Sequence, residues 1–216
     1  MSVRRILVLA VASLIVPVVI GAVVVVRQIS TIGTLQDEQQ AVMSQLEAAA
    51  TVDLGLAHQQ RMHLLYATSG DESILEQFGA VRSDVDQYLA ALIAGVAGDD
   101  QRSADAAAVA AALDAYYATV EADLALAVAS GDGADIDAAM NSATTLGLAA
   151  NDLIVALTED LAAARRVQAT ELSDAVDRGV TAVIVVSLAV LAVSVAGAVV
   201  SGRSVAGIFG GTLDGL

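Results

Sequence analysis

Four polar side chains have the chemistry needed to bind a small carboxylate. They are Arg61, Asn141, Thr144 and Thr145. Arg61 precedes a glycine-containing turn at 68–71, and the other three follow a similar turn at 130–133. If these turns join antiparallel helices, the four side chains lie at a similar height, where a guanidinium with amide and hydroxyl groups can hold a carboxylate. The alternative is that Arg61 pairs with an acidic residue or lies free on the surface.

The other reactive side chains do not form a pattern for metal binding or catalysis. His58 and His63 are five residues apart, so on a helix they point to different faces, unlike a zinc-binding pair. Asp132, Asp135 and Asp137 lack the twelve-residue spacing and the terminal glutamate of a calcium loop. These acids suit a solvated turn and a helix N-terminus. We therefore expect no metal, no cofactor and no enzymatic activity.

Two long apolar segments flank the part of the chain that carries these residues. Residues 6–26 and 179–200 each run for about 20 residues without a charge, which is the length an α-helix needs to cross the roughly 30 Å hydrocarbon core of a membrane. Residues 27–178 between them contain no comparable apolar run. The sequence therefore predicts two transmembrane helices that flank one water-exposed domain.

Charge is concentrated in the segment between the two apolar runs. Residues 28–178 hold 24 acidic residues and six arginines, a formal charge of −18 within a chain whose total is −15. Such a surface repels nucleic acid and anionic lipid headgroups, so we expect no nucleic-acid partner. The chain has no cysteine, which excludes disulfides and thiolate metal sites.

The placement of arginines predicts the orientation in the membrane. Arg4 and Arg5 precede the first apolar segment, and Arg203 follows the second. Positive residues favour the cytoplasmic side, so residues 1–5 and the C-terminus are expected in the cytoplasm and the acidic domain outside it. The first apolar segment is longer than the core of a cleaved signal peptide, so we interpret it as a permanent anchor in the plasma membrane.

Residues 27–178 divide into four helical stretches separated by glycine-containing turns. The turns lie at 68–71, 95–100 and 130–133. Each stretch carries a narrow apolar seam with steps of three and four residues, which is typical of packed helices. The predicted seams are Ile32, Leu35, Val42, Leu46, Ala49 and Leu56; Ile74, Phe78, Val81, Val85, Tyr88 and Leu92; Val109, Leu113, Tyr116, Val120 and Leu124; and Ile136, Met140, Ala143, Gly147, Ala150, Ile154, Leu157 and Leu161. The fold class is therefore all-α, with an extracytoplasmic up-down-up-down four-helix bundle.

The outer two helical stretches are longer than the middle two. Near the membrane only the first and fourth helices are therefore expected, which leaves their seam residues half exposed in a monomer. These residues are Ile32, Leu35, Leu157 and Leu161. A homodimer would cover them, whereas a thin monomeric stalk would leave them open.

Two segments resemble the four-helix-bundle sensor domains of methyl-accepting chemotaxis receptors and related sensor kinases. In 59–78 the similar positions are Arg61, Leu64, Leu65, Gly70, Asp71, Leu75 and Phe78. Residues 126–140 resemble the Gly-Asp turn and alanine-rich fourth helix of that family. The resemblance implies a receptor in which the fourth helix shifts relative to the first. A nitrate/nitrite-type helical sensor has a similar Gln-x-x-Arg stretch and remains an alternative.

The C-terminal residues 201–216 resemble the start of a HAMP relay, with Arg203, Val205, Leu213 and Leu216 in suitable positions. A chain that ends within this relay is either a fragment or a stand-alone protein. The predicted function is a membrane signal receptor for a small anionic ligand or a ligand-loaded binding protein. The rival interpretation is a membrane-anchored structural or interaction protein without a ligand.

Overall fold

The structure, a computed structural model, describes residues 3–213, with side chains for 15–16, 18–197 and 199. These residues are helical, with no strand among them. The helices are α1 (Val3–Ser69), α2 (Glu72–Val96), α3 (Asp100–Ala118), a π-helical segment (Thr119–Leu124), α4 (Ala125–Ser130) and α5 (Gly133–Leu213). Because α3, the π segment and α4 follow one another without a break, the chain forms four helical rods. The last three residues of the expected relay lie outside the described part.

Short turns with specific caps separate the rods. Gly70 and Gly131 have φ values of 65° and 72°, a left-handed conformation that glycine adopts without steric cost. Asp71 begins α2 by accepting a hydrogen bond from the backbone N–H of Ser73, and Asp99 begins α3 by accepting from two backbone N–H groups. The breaks therefore fall within the three glycine-containing turns predicted from the sequence.

The chain forms two compact units, and the first comprises Glu38–Gln168. Contacts within this unit show that consecutive rods run antiparallel. Near one end of the unit, the side chain of Gln45 donates to the carbonyl of Gly95. Arg82 of α2 binds Glu121 of the π segment. The four rods share one apolar core, to which each of them contributes buried side chains.

Most of the predicted seam residues are buried in this core, but Tyr88 is not. All five seam residues predicted between 109 and 124 are buried. In α2 the prediction of Tyr88 is wrong, because its side chain is 42% exposed whereas Leu89 is 7% exposed. Steps of four then three residues (Val85, Leu89, Leu92) satisfy helical periodicity as well as steps of three then four. Packing against the neighbouring helices decides which of Tyr88 and Leu89 is buried, and the spacing of apolar residues gives no information on that packing.

The π segment follows from the spacing of apolar residues in the third rod. Buried positions step by four residues from Tyr116 to Val120 and again by four to Leu124. Two successive steps of four are one residue longer than a step of three followed by a step of four, which is the regular spacing of buried residues in an α-helix. The wider π turn absorbs the extra residue, so that the buried side chains stay aligned with the core.

The expected exposure of Leu157 and Leu161 is wrong, since they are 2% and 0% exposed within a single chain. The reason is that α3 and α5 run antiparallel from the turn at 131–132, so the first turn of α3 lies level with residues 157–161. Arg102, in the first turn of α3, binds Asp160 at 2.6 Å, so the third rod reaches the level of these leucines and covers them. Ile32 and Leu35, by contrast, are half-buried.

The second unit comprises the residues up to Asp37 together with those from Ala169. Within it the first and last helices contact each other, for example where Gly21 lies against Val186. Both helices are long and apolar enough to cross a membrane, and only 6% of each apolar window is buried. The outward side chains of these windows are therefore apolar and uncovered within one chain.

Candidate functional site

A layer of polar side chains crosses the core of the unit Glu38–Gln168. We name Gln59, His63, Tyr116 and Tyr117 the polar layer. Nδ1 of His63 lies 2.8 Å from the hydroxyl of Tyr116, and the hydroxyl of Tyr117 donates to Oε1 of Gln59 at 3.2 Å. All four residues are at most 2% exposed. These two hydrogen bonds join α1 to α3 in the buried core, where the low dielectric constant strengthens such bonds.

Several nitrogen atoms near the polar layer have no hydrogen-bond partner in the described part of the chain. They are Nε2 of Gln59, Nε2 of Gln60 and Nε2 of His63. A buried polar atom without a partner costs about 1–3 kcal/mol. These three atoms lie within five residues of α1, so the polar layer lowers the stability of an otherwise apolar core at this point.

Aromatic rings and one ion pair surround the polar layer. The ring of Phe78 lies 6.0 Å from the rings of both Tyr116 and Tyr117, measured between centroids. The guanidinium carbon of Arg82 lies 4.5 Å from the ring centroid of Tyr117, which is a cation–π contact. Arg82 also donates to both carboxylate oxygens of Glu121 at 2.7 Å. This ion pair lies beside the polar layer, on the side of α2 and the π segment.

Burial shifts the acid–base equilibria of the layer toward neutral forms. Burial lowers the pKa of His63 and raises the pKa of Tyr116 far above its ordinary value. Burial also raises the pKa of Tyr117 to about 12, although its hydrogen bond to Gln59 acts in the opposite direction. The hydrogen bond to Glu121 raises the pKa of Arg82. At neutral pH the layer therefore holds uncharged His63 beside two uncharged phenols.

The predicted site residue Arg61 lies outside this core, in an open groove of about 540 Å³ between α1 and α2. The groove is lined by Thr51, Leu54, Gly55, Ala57, His58, Arg61, Val81, Asp84, Val85 and Tyr88. Arg61 and Asp84 form no ion pair with any residue that the structure describes. The groove thus contains one cation and one anion that are both available to a ligand.

The other three predicted site residues, Asn141, Thr144 and Thr145, are exposed on α5 and do not line this groove. Thr145 donates its hydroxyl to the carbonyl of Asn141, as many helical threonines do. Their expected height is nevertheless close to that of Arg61. The amide of Gln60, the neighbour of Arg61, packs against Gly147 of α5. A joint carboxylate site of all four residues stays a prediction.

Sequence reasoning missed the polar layer, although a signal for it exists. The buried stripe of α1 continues in alternating steps of four and three residues beyond Leu56. It includes Val52, Leu56, Gln59, His63 and Tyr66. Extending the apolar seam through polar residues at the same spacing would have placed Gln59 and His63 in the core.

No protein-family model, curated protein or solved structure matches this chain. Among the described residues, no three His, Asp or Glu side chains are grouped so that they could hold a metal ion.

Proposed function

We propose that this chain is a transmembrane signal receptor, similar to the chemotaxis receptors, in which an extracytoplasmic four-helix bundle passes a stimulus to the cytoplasm. The observation that carries this proposal is helix continuity. Both α1 and α5 contain an apolar window suited to a membrane and also contribute buried residues to the core of Glu38–Gln168. A small displacement of one helix in the bundle can therefore travel along the same helix into the membrane.

The apolar side chains of the second unit support the membrane placement. Val19, Ile20, Leu188 and Leu191 are each more than half exposed. Lipid hydrocarbon would cover them, whereas water would leave a large unfavourable apolar surface. The arginines near both ends favour cytoplasmic termini in the plasma membrane, with 201–216 as the start of a HAMP-like relay.

A homodimer is part of this proposal, and an exposed stripe on α1 supports it. The outer stripe consists of Met43, Ala50, Leu54, Ala57 and Leu64, all exposed. Four of these residues repeat every seven positions, and Leu54 lies between them at 72% exposure. A seven-residue apolar repeat is the spacing by which two parallel helices pack. Anchoring two copies in one membrane makes a parallel arrangement of their α1 helices the natural one.

The stimulus in this proposal is a small anionic ligand, or a binding protein that carries one. The free guanidinium of Arg61 supplies the attraction for an anion in a domain whose surface otherwise repels it. The scaffold interpretation requires no ligand and no movement, so these two properties separate it from the receptor.

A thermal-shift screen of amino acids and organic acids on the full chain in lipid nanodiscs tests the ligand. We expect Arg61→Ala to weaken binding of a hit by roughly 10- to 100-fold, equivalent to about 1.5–3 kcal/mol for a hydrogen bond to a charged group. Arg165→Ala is the matched control, because Arg165 is an exposed arginine on α5 outside the groove. Equal losses in both variants would remove Arg61 from the site.

Spin labels on cysteines introduced at Thr34 and Thr181 test transmission, since the native chain has no cysteine. Both positions are exposed in the unit that holds the apolar windows. The receptor proposal predicts that the stabilising ligand changes the distance between the labels. A ligand that stabilises the chain while this distance stays constant would favour the scaffold interpretation.

A further inference from the structure

His63 is the one histidine of two that the core encloses. His63 is only 2% exposed, whereas His58, five residues earlier on the same helix, is exposed. The chain contains no other histidine. Histidine is the side chain whose ordinary pKa, about 6.5, lies closest to physiological pH. Burying a histidine can therefore make the stability of the core sensitive to mild acid.

The hydrogen bond between His63 and Tyr116 leaves the fewest unsatisfied groups when the ring is neutral and the hydroxyl of Tyr116 donates to Nδ1. The opposite direction would leave both the hydroxyl proton of Tyr116 and Nε2 of His63 without a partner among the described residues, so we assign the first. This assignment places the ring proton on Nε2, which has no acceptor. When the ring takes up a proton from solvent, Nδ1 can only donate to the oxygen of Tyr116, and the hydroxyl proton of Tyr116 loses its acceptor. Both ring nitrogens are then donors, and the positive charge is buried.

The groups around His63 offer no compensating negative charge. On its own helix the nearest layer member is Gln59, and α3 contributes the two tyrosines of the polar layer. The charged groups that act on the polar layer do so at Tyr117: they are Arg82, which is paired with Glu121, and the exposed carboxylates Asp86 and Asp114. None of them shifts the pKa of His63, for which burial is the only cause.

The remaining helix, α5, contributes small apolar residues at this level. Ala143, Gly147 and Ala150 face the core, while Asp137 and Asp152, its closest charged residues along the chain, are exposed. A protonated His63 would therefore be a buried cation without a carboxylate partner. Such a state is unfavourable unless the layer opens to water.

We propose that His63 and Tyr116 form an acid-sensitive latch between α1 and α3, which holds the two helices together when His63 is neutral and releases them when it is protonated. The proposal goes beyond ligand sensing, because it needs no ligand and makes acidity itself a stimulus. The released helix, α1, is also the helix that contains the first apolar window. The adjoining π segment is a place where helix geometry adjusts easily, which favours local opening over global unfolding.

The direction of the pH effect follows from proton linkage. Because burial lowers the pKa of His63 in the folded protein, the unfolded chain binds more protons as the pH falls below about 6.5. The stability that His63 contributes is therefore complete above about pH 6.5 and declines as the pH falls toward its folded pKa. Carboxylates titrate mainly below about pH 5, so the two effects occupy different pH ranges.

Spin labels on the full chain in nanodiscs, purified with a tag that contains no histidine, test the latch. Cysteines at Leu65 on α1 and Ala118 on α3 provide exposed labelling positions. We expect the distance between the labels to lengthen or broaden from about pH 7.5 to about pH 5.5, on either side of the ordinary histidine pKa. His58→Asn should keep this response, and His63→Asn should abolish it, since asparagine retains an acceptor near Nδ1 but does not titrate.

Three results would overturn the proposal: a parent chain without the response, a His63→Asn variant that retains it, or a His58→Asn variant that loses it. If His63→Asn does not fold, NMR titration of the two histidine rings in the parent chain decides instead. A His63 midpoint below about 6.5, accompanied by a change in the label distance over the same pH range, supports the latch. A midpoint at or above that value contradicts it. Ligand binding at Arg61 enters none of these measurements, so their failure would leave the receptor proposal standing.

Discussion

At the scale of single residues, the core contains two kinds of buried polar group. Some form hydrogen bonds, and others have no hydrogen-bond partner among the described residues. The two hydrogen bonds of the polar layer fix the register of α1 against α3, because each tyrosine meets one specific partner. The unpartnered nitrogen atoms of Gln59 and His63 lower the stability that the same volume of apolar side chains would provide. This combination gives the bundle a defined register at a modest cost in stability.

The ion pair between Arg82 and Glu121 should contribute a small, measurable stability. Both side chains are partly exposed, at 32% and 42%, so solvent screens their attraction. A double-mutant cycle with Arg82→Ala and Glu121→Ala should give a coupling free energy of about 0.2–1 kcal/mol in urea unfolding. Arg82→Lys should keep much of it, because a single nitrogen of Arg82, Nη1, makes both contacts with Glu121. A coupling of zero would mean that the pair contributes nothing beyond its separate members.

The sequence predicted that Arg61 shares a carboxylate site with Asn141, Thr144 and Thr145, and this joint site stays a prediction. Arg61 lacks an ion pair in the described part of the chain, but its groove is formed with α2 and not with Asn141 on α5. Spacing along the chain gives the height of a side chain in a bundle. It does not give the direction around the helix, because a shift of one residue turns the side chain by about 100°.

At the scale of helices, turn chemistry determined what could be predicted. Glycine in a left-handed conformation and aspartate at an N-cap mark boundaries locally. Accordingly, α2 begins at Glu72, directly after the turn predicted at 68–71, and ends at Val96, within the turn predicted at 95–100. The exchange of Tyr88 for Leu89 and the π segment both depend on how neighbouring rods pack. Local patterns carry no information on that packing, so these two features had to come from the structure.

Two glycines on neighbouring rods provide a test of the packing. A Cβ atom at Gly55 would overlap the side chain of Val85, whereas a Cβ atom at Gly79 meets nothing within 4 Å. We expect Gly55→Ala to lower the free energy of unfolding by about 1–3 kcal/mol through overpacking. Gly79→Ala should raise it by about 0.5–1 kcal/mol, because alanine favours the helix. Effects of the same sign in chemical denaturation would show that α1 and α2 do not approach each other closely at Gly55.

At the scale of the whole molecule, apolar and acidic residues are segregated along the chain. The acidic segment carries a formal charge of −18, and the apolar windows at either end have mean hydropathies of 1.9 and 2.6. The sequence alone predicts this segregation, because the length of the apolar segments and the charge of the segment between them define it. The burial of Leu157 and Leu161 was missed, although the number of residues from the turn at 130–133 places both leucines level with the start of α3.

Disulfide crosslinking tests the proposed homodimer on a chain without native cysteines. Leu54→Cys on the outer stripe should crosslink between copies under mild oxidation. Leu148→Cys on α5 is the control, because Leu148 is also well exposed, at 55%, and lies outside the stripe. Crosslinking that is equal at both positions would indicate random collision, and the outer stripe would then not be a dimer interface.

The most direct test of the central proposal is the membrane topology of the full chain. Reporters that are active only in the cytoplasm, or only outside it, are inserted at Gly133 and fused after Leu216. A receptor with cytoplasmic termini predicts that the reporter at Gly133 is active outside and that the reporter after Leu216 is active in the cytoplasm. Activity of both reporters on the same side of the membrane, or the reverse pattern, would contradict the proposal.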